Sequence, residues 1–205
     1  MTAYRNFIQD YPIRCRRLLS IYFKGARENN LEVTLLLNIA SSGLIVPYAR
    51  LSEGAHPSGD SAHFKGAKDN LDKILNAPFL SSELHPKKEP QSWRLGKLKE
   101  LSGDPDSWQL DQMKPITKKK TARPLVQILR NALAHGNIFI RGNPHIETLV
   151  FLSRIKCVED IGYNCLTVSP PDLKEFVLCW LQTLSNAKIP GQVFMEGNLF
   201  AEHVA

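Results

Sequence analysis

Residues 123–136 read RPLVQILRNALAHG, and the fold of the chain turns on them. Wound at about 100° per residue with Arg130 set at zero, Arg123, Ala134, Gln127, Asn131 and His135 fall between about 20° and 140°. Ile128, Ala132, Leu125, Leu129, Leu133 and Val126 occupy roughly 160° to 320°. One face is therefore apolar, and the other carries Arg, Gln, Arg, Asn and His with no acid. An apolar arc of that width is the buried side of a helix in a packed domain. Pro124 reads as its first residue and Gly136-Asn137 as its stop. A solvent-facing arc normally mixes Glu with Lys for i,i+4 support, so two arginines with no acid are unusual. Two ordinary readings stay open: His135 as a cation at a helix C-terminus, and Arg130 as a structural bridge to Glu32 or Asp172.

Working outward, two long helical patterns precede this stretch. From Ala3 to about Glu28, apolar residues such as Phe7, Tyr11, Leu18 and Tyr22 recur at helical spacings. Pro12 is expected to kink or split that segment unless it marks a new first turn. After a turn at Glu28-Asn29-Asn30, a second helix is expected from about Leu31 to Leu51, apolar on most sides, which suits the centre of a bundle or a dimer interface. From Ser52 to about Lys120, prolines and glycines punctuate short apolar clusters, and short helices are expected near Phe64–Asn76 and Trp93–Leu101. Beyond the motif helix, Thr148–Ile155 and Asn164–Val168 read as two strands of a hairpin. Pro170-Pro171-Asp172 then opens a last helix with Leu173, Phe176, Val177, Trp180, Leu181 and Leu184 on one face. The fold class expected is mainly α, with an irregular middle over 53–120 and one small β-hairpin before the final helix. One domain over residues 1–190 and a tail over 191–205 complete the division.

At 205 residues, 43% hydrophobic and 22% charged, the chain is too apolar for intrinsic disorder and has no collagen period. No stretch reaches the roughly 18–20 uncharged apolar residues of a membrane span. Arg5, Asp10 and Arg14 interrupt the place where an export signal has its apolar core, so a cytoplasmic protein is expected. Cys15, Cys157, Cys165 and Cys179 form no C-x-x-C pair, so neither a zinc knuckle nor a disulfide framework is suggested, and without an export signal reduced thiols are expected. Lys plus Arg is 26 against 20 for Asp plus Glu, a formal charge of +6. The excess is local: residues 1–30 carry six basic side chains against two acidic, and 114–123 carry five against none. A basic balance permits nucleic-acid binding without establishing it. His56 and His63 are seven apart and read as solvated loop residues, and His85 and His145 have no evident partner. Trp93, Trp108 and Trp180 read as packing residues, and no phosphate-binding glycine loop or zinc-protease motif is present.

The spacing Arg130-Asn131-x-x-x-His135, within ILRNALAHGN at 128–137, resembles the signature of the HEPN superfamily. Those domains are helical bundles with Arg, a polar residue, three variable positions and His on a late helix. The order of elements is similar too, and the likeness is greatest to the small plasmid-type standalone HEPN proteins. It implies a metal-independent endoribonuclease of toxin or defence type, a homodimer whose motif helices face each other, without a cofactor. An antitoxin or other regulatory protein is the further partner that a toxin of this kind implies. Some toxin members carry Tyr two places after the His, where a nucleotidyltransferase modifies it; Asn137 stands there in this chain.

The residues suit that chemistry. Attack by a 2′-OH needs a proton acceptor, a proton donor to the 5′-oxygen and a cation on the phosphorane. Imidazole changes charge nearest neutrality, which suits His135 to either proton step. The forked guanidinium of Arg130 suits phosphate oxygens, and Asn131 would orient His135 or hold a phosphate oxygen. Arg123, Gln127, Lys118, Lys119 and Lys120 would extend the contact along the RNA backbone. One His per chain leaves the second proton role to a symmetric partner. The alternatives are a non-catalytic HEPN-like module that binds nucleotide, RNA or protein, and a helical interaction protein whose Arg-Asn-His face is structural.

Overall fold

Asn30 adopts φ 57, the left-handed region that Asn tolerates better than most residues, and there the first helix turns back on itself. The Leu31 amide reaches the Ala26 carbonyl at 2.7 Å across this turn. It joins α1 (Phe7–Glu28) to α2 (Glu32–Ser52). The computed structural model describes residues 7–52, 61–85, 91–101, 103–155 and 162–186. The tail over 191–205, His56 and Cys157 lie outside them. After α2 come α3 (Ser61–Asn76), β1 (Arg94–Leu98), β2 (Lys114–Pro115) and α4 (Ala122–His135). The chain ends its regular structure with β3 (Ile138–Arg141), β4 (Thr148–Arg154), β5 (Tyr163–Val168) and α5 (Pro170–Ser185).

Pro12 does not split α1, which runs on through it. The second internal proline has a visible consequence. Pro47 has no N–H, so the Gly43 carbonyl four residues earlier in α2 loses its helical donor. The indole Nε1 of Trp180 on α5 donates to that carbonyl at 3.0 Å, in a buried position. Replacing Trp180 with Phe keeps most of the apolar bulk and removes the donor. We expect a loss of about 1–3 kcal/mol, read as a lower urea midpoint with an unchanged m-value.

The helix expected from about Leu31 to Leu51 is α2, and of its two expected settings the protomer realises the bundle centre. Its apolar circumference is used within the protomer, because α2 touches α1, α3, α4 and α5. Val33, Leu36, Ile39, Ala40 and Leu44 are buried in the main core. The apolarity of this helix is therefore no argument for a dimer.

The fold class is also richer in sheet than expected. In place of one hairpin there is a five-stranded antiparallel sheet in the order β2-β1-β5-β4-β3, alongside five α-helices among the described residues. The β4–β5 hairpin falls where the sequence pattern puts it, with Phe151 opposite Leu166. Three strands were not anticipated. Arg94–Leu98 is a strand and not a helix: Leu95, Leu98 and Leu101 satisfy a helical spacing, but pairing with β5 from Arg94–Thr167 to Leu98–Tyr163 decides the outcome. β3 follows α4 after two residues, Gly136 and Asn137, which mark the end of the helix without announcing a strand. The middle segment is accordingly less irregular than its prolines suggest, supplying α3, β1 and β2.

Alternation along the strands divides the core. Leu149, Phe151, Leu166 and Val168 face the helices and join the main core. Val150, Leu152 and Cys165 face the other way, where Trp108, Leu110 and Met113 cover them. All three tryptophans are buried, so they pack rather than offer a stacking platform. Among the described residues, no helix is long and apolar enough to cross a membrane.

Candidate active site on the fourth helix

The division of α4 into two arcs is realised in the fold. Leu125, Val126, Ile128, Leu129, Ala132 and Leu133 are buried, against α2 on one side and β4 on another. Gln127 and His135 are exposed, while Arg123, Arg130 and Asn131 are half-buried. The helix begins at Ala122, two residues before Pro124, which still lies in the first turn where a missing N–H does no harm. Gly136 ends it at φ 68 and ψ 16, its amide reaching back to the Ala132 carbonyl. The Asn137 amide bonds the same carbonyl at 2.9 Å, and the Asn137 carbonyl accepts from the Leu152 amide at 3.0 Å. The chain thus passes straight from the motif into the sheet.

Arg130 is steered from two sides. Its guanidinium carbon lies 5.8 Å from the centroid of the Tyr48 ring on α2, in cation–π range. Its Nη1 donates to Asn131 Oδ1 at 3.1 Å. Asn131 in turn donates from Nδ2 to Ser153 Oγ at 3.0 Å. A guanidinium has only donors, so the carboxamide oxygen must face Arg130 and the amino group must face the serine. Tyr48 and Asn131 are neutral, and neither cancels the positive charge it holds.

His135 lies about 7.5 Å further along the helix axis and about 140° around it from Arg130. Among the described residues, no side chain or carbonyl makes a hydrogen bond to its imidazole. Asn131 is therefore committed to Arg130 and Ser153, not to orienting His135.

The outlying basic residues divide. Arg123 is held by α3: its Nη2 lies 2.8 Å from Asp72 Oδ1 and its Nε donates to Asn76 Oδ1 at 2.9 Å. The acid missing from α4 is supplied by a neighbouring helix, and this guanidinium serves as a tie. Lys118 and Lys119 are exposed and Lys120 is half-buried, in a turn pinned by the Lys120 carbonyl accepting from the Phe79 amide at 2.7 Å. This turn sits at the N-terminal end of α4, about 20 Å from His135. The carboxylate of Asp172 is taken by the Ser92 amide at 2.7 Å and hydroxyl at 2.6 Å.

Other chemistry is remote. Burial pushes the Cys165 thiol up to about 12 and raises Cys15 and Cys179, so none of these is a ready thiolate near neutrality. His85 is buried edge-on against the Phe79 ring at 5.3 Å, and His145 is exposed. Among the described residues, no group of three or more His, Cys, Asp or Glu side chains is placed to hold a metal ion.

A family model described as HEPN pEK499 p136 matches residues 1–190. The chain belongs to this HEPN family. No curated protein and no solved structure matches it. In this HEPN domain, two residues at the site carried no motif. Tyr48 is one apolar-face residue among many on α2 and gives no signal. Ser153 does give one: Leu149, Phe151 and Ser153 share a strand face, and a polar side chain in that inward row calls for a partner.

Proposed function

We propose that this HEPN protein is a metal-independent endoribonuclease of toxin or defence type, acting through a composite site in a two-fold dimer. The observation that carries the reading is the pairing of a steered Arg130 with a solvent-exposed His135 on one helix face. Arg130 holds the non-bridging phosphate oxygens, and its positive charge stabilises the phosphorane. The 2′-OH attacks phosphorus and its proton passes to a base; the P–O5′ bond breaks and the leaving oxygen takes a proton from an acid. The products are a 2′,3′-cyclic phosphate and a 5′-hydroxyl, with no net change in protons. The two imidazoles of a symmetric dimer fill the base and acid roles. The polar arc of α4 holds no carboxylate, which suits a reaction without a divalent cation. An antitoxin or other regulatory protein as partner belongs to the same reading.

Mixed RNA incubated with the protein in EDTA tests the proposal. Cleavage to 5′-hydroxyl ends, with a 2′-deoxy substrate bound but uncut, supports it; cleavage of DNA or dependence on a divalent metal overturns it. One observation favours a second reading, a non-catalytic RNA-binding module. Among the described residues, the imidazole of His135 has no orienting hydrogen bond. RNA binding without any cleavage establishes that alternative.

The contribution of the lysine turn is separable. Each neutralised phosphate of a single strand contributes about −0.7 to the slope of log K against log salt. Changing Lys118, Lys119 and Lys120 together to Ala should flatten that slope by up to about 2 and weaken binding with little sequence dependence. An unchanged slope returns the turn to a solvated loop. The corresponding change at Arg123 should instead loosen the α3–α4 contact.

A further inference from the structure

Ser153 lies outside the signature and belongs to a different element, yet it ends a chain of contacts that begins at Arg130. It sits on β4, buried, on the strand face that carries Leu149 and Phe151 toward the helices. Its hydroxyl accepts from Asn131 Nδ2 at 3.0 Å, and Asn131 Oδ1 accepts from Arg130 Nη1 at 3.1 Å. Without the serine, the carboxamide has no anchor in the sheet and can rotate about its last bond, a broad torsion with shallow preferences. The oxygen would still face the donor-only guanidinium, but its direction would no longer be fixed. The donor-only guanidinium sets which end of Asn131 faces it, and the hydroxyl holds the other end against the sheet, fixing the plane of the carboxamide. The anchor is rigid because Ser153 is paired in the ladder, opposite Asn164 on β5.

We infer that Ser153 is a positioning residue of the candidate site, acting through Asn131 to fix the guanidinium of Arg130 where it meets the phosphate. The inference rests on the ribonuclease reading for its effect on rate, but not for its effect on geometry. A neutral relay has an advantage over a carboxylate at position 131. Asp there would orient Arg130 equally well while neutralising the charge that the phosphorane needs.

The test compares Ser153→Ala, Ser153→Thr and Asn131→Ala in the full-length protein, reading single-turnover RNA cleavage, RNA affinity and the side-chain amide resonances of Asn131. Ser153→Ala should slow cleavage by about 10-fold while RNA affinity stays within about 2-fold, since misplacement of a positioned group is felt mainly in the transition state. Ser153→Thr, which keeps the hydroxyl, should recover most of the rate. Ser153→Ala in an Asn131→Ala background should cost nothing further, because the two residues act as one unit. The exchange of the Asn131 amide protons should quicken about 10-fold in Ser153→Ala. Equal losses in the Ala and Thr variants, or additive losses in the double variant, overturn the relay. Wild-type protein that cuts no RNA overturns the ribonuclease reading instead, and the amide exchange then decides the relay alone: unchanged exchange in Ser153→Ala overturns it.

Discussion

Replacing His135 with Ala should lower RNA cleavage by about 10²–10⁴-fold, the usual span for a lost general acid or base, while leaving the thermal midpoint where it was. The separation of effects follows from position. His135 is exposed at the end of α4 and makes no hydrogen bond among the described residues, so its loss removes no packing. Arg130→Ala should be comparably damaging to cleavage, because the cation on the phosphate is lost along with its fork of donors. It should also disturb the fold slightly, since the guanidinium covers Tyr48. Mixing His135→Ala with Arg130→Ala protomers provides a sharper measurement. Because both imidazoles act in one composite site, the heterodimer keeps only one of them and should stay inactive; recovered cleavage would show that a single His135 suffices. Full activity in His135→Ala would remove the imidazole from the mechanism.

The largest effect on stability is expected at Phe176. Its ring is fully buried on α5 and meets Trp93 at 5.5 Å, Phe79 at 6.2 Å and Trp180 at 6.4 Å between centroids. These partners come from the middle segment and from α5 itself, so the cluster joins the region with the most prolines to the helical core. Phe176→Ala should cost about 3–5 kcal/mol through lost transfer energy and the cavity left behind. A domain of this size should then melt roughly 10 °C lower. A drop of only a degree or two would mean that the aromatic cluster closes over the gap.

The parts that could be read from the chain are those in which local pattern and tertiary burial agree. The apolar arc of α4, the start of α5 at Pro170 and the β4–β5 hairpin all combine a strong period with a capping or turn residue. The parts that could not be read depend on partners remote in sequence. Arg94–Leu98 has too few residues to separate helical from strand spacing, and only its register against β5 resolves it. Arg123 looks unopposed because its acid, Asp72, lies 51 residues earlier on α3. Arg130, Asn131 and His135 lie within six residues of each other, but the grouping of two of them with Tyr48 and Ser153 needs two other elements, α2 and β4, to be in place. A signature names the residues; their aim comes from the scaffold.

The bond between the Trp180 indole and the Gly43 carbonyl spans 137 residues of chain. Synthesis at about 5–20 residues per second puts roughly 7–30 s between the appearance of one group and the other at the ribosome. During that interval α2 carries a carbonyl that only water can satisfy, and the groove reserved for α5 stays wet. Arg130, Asn131, His135 and Ser153 have all been translated by then, but the helix that Tyr48 belongs to has not yet been sealed into the core. The signature residues are thus made before the last support that holds them is available, and a nascent chain carries the whole signature well before it is a finished domain.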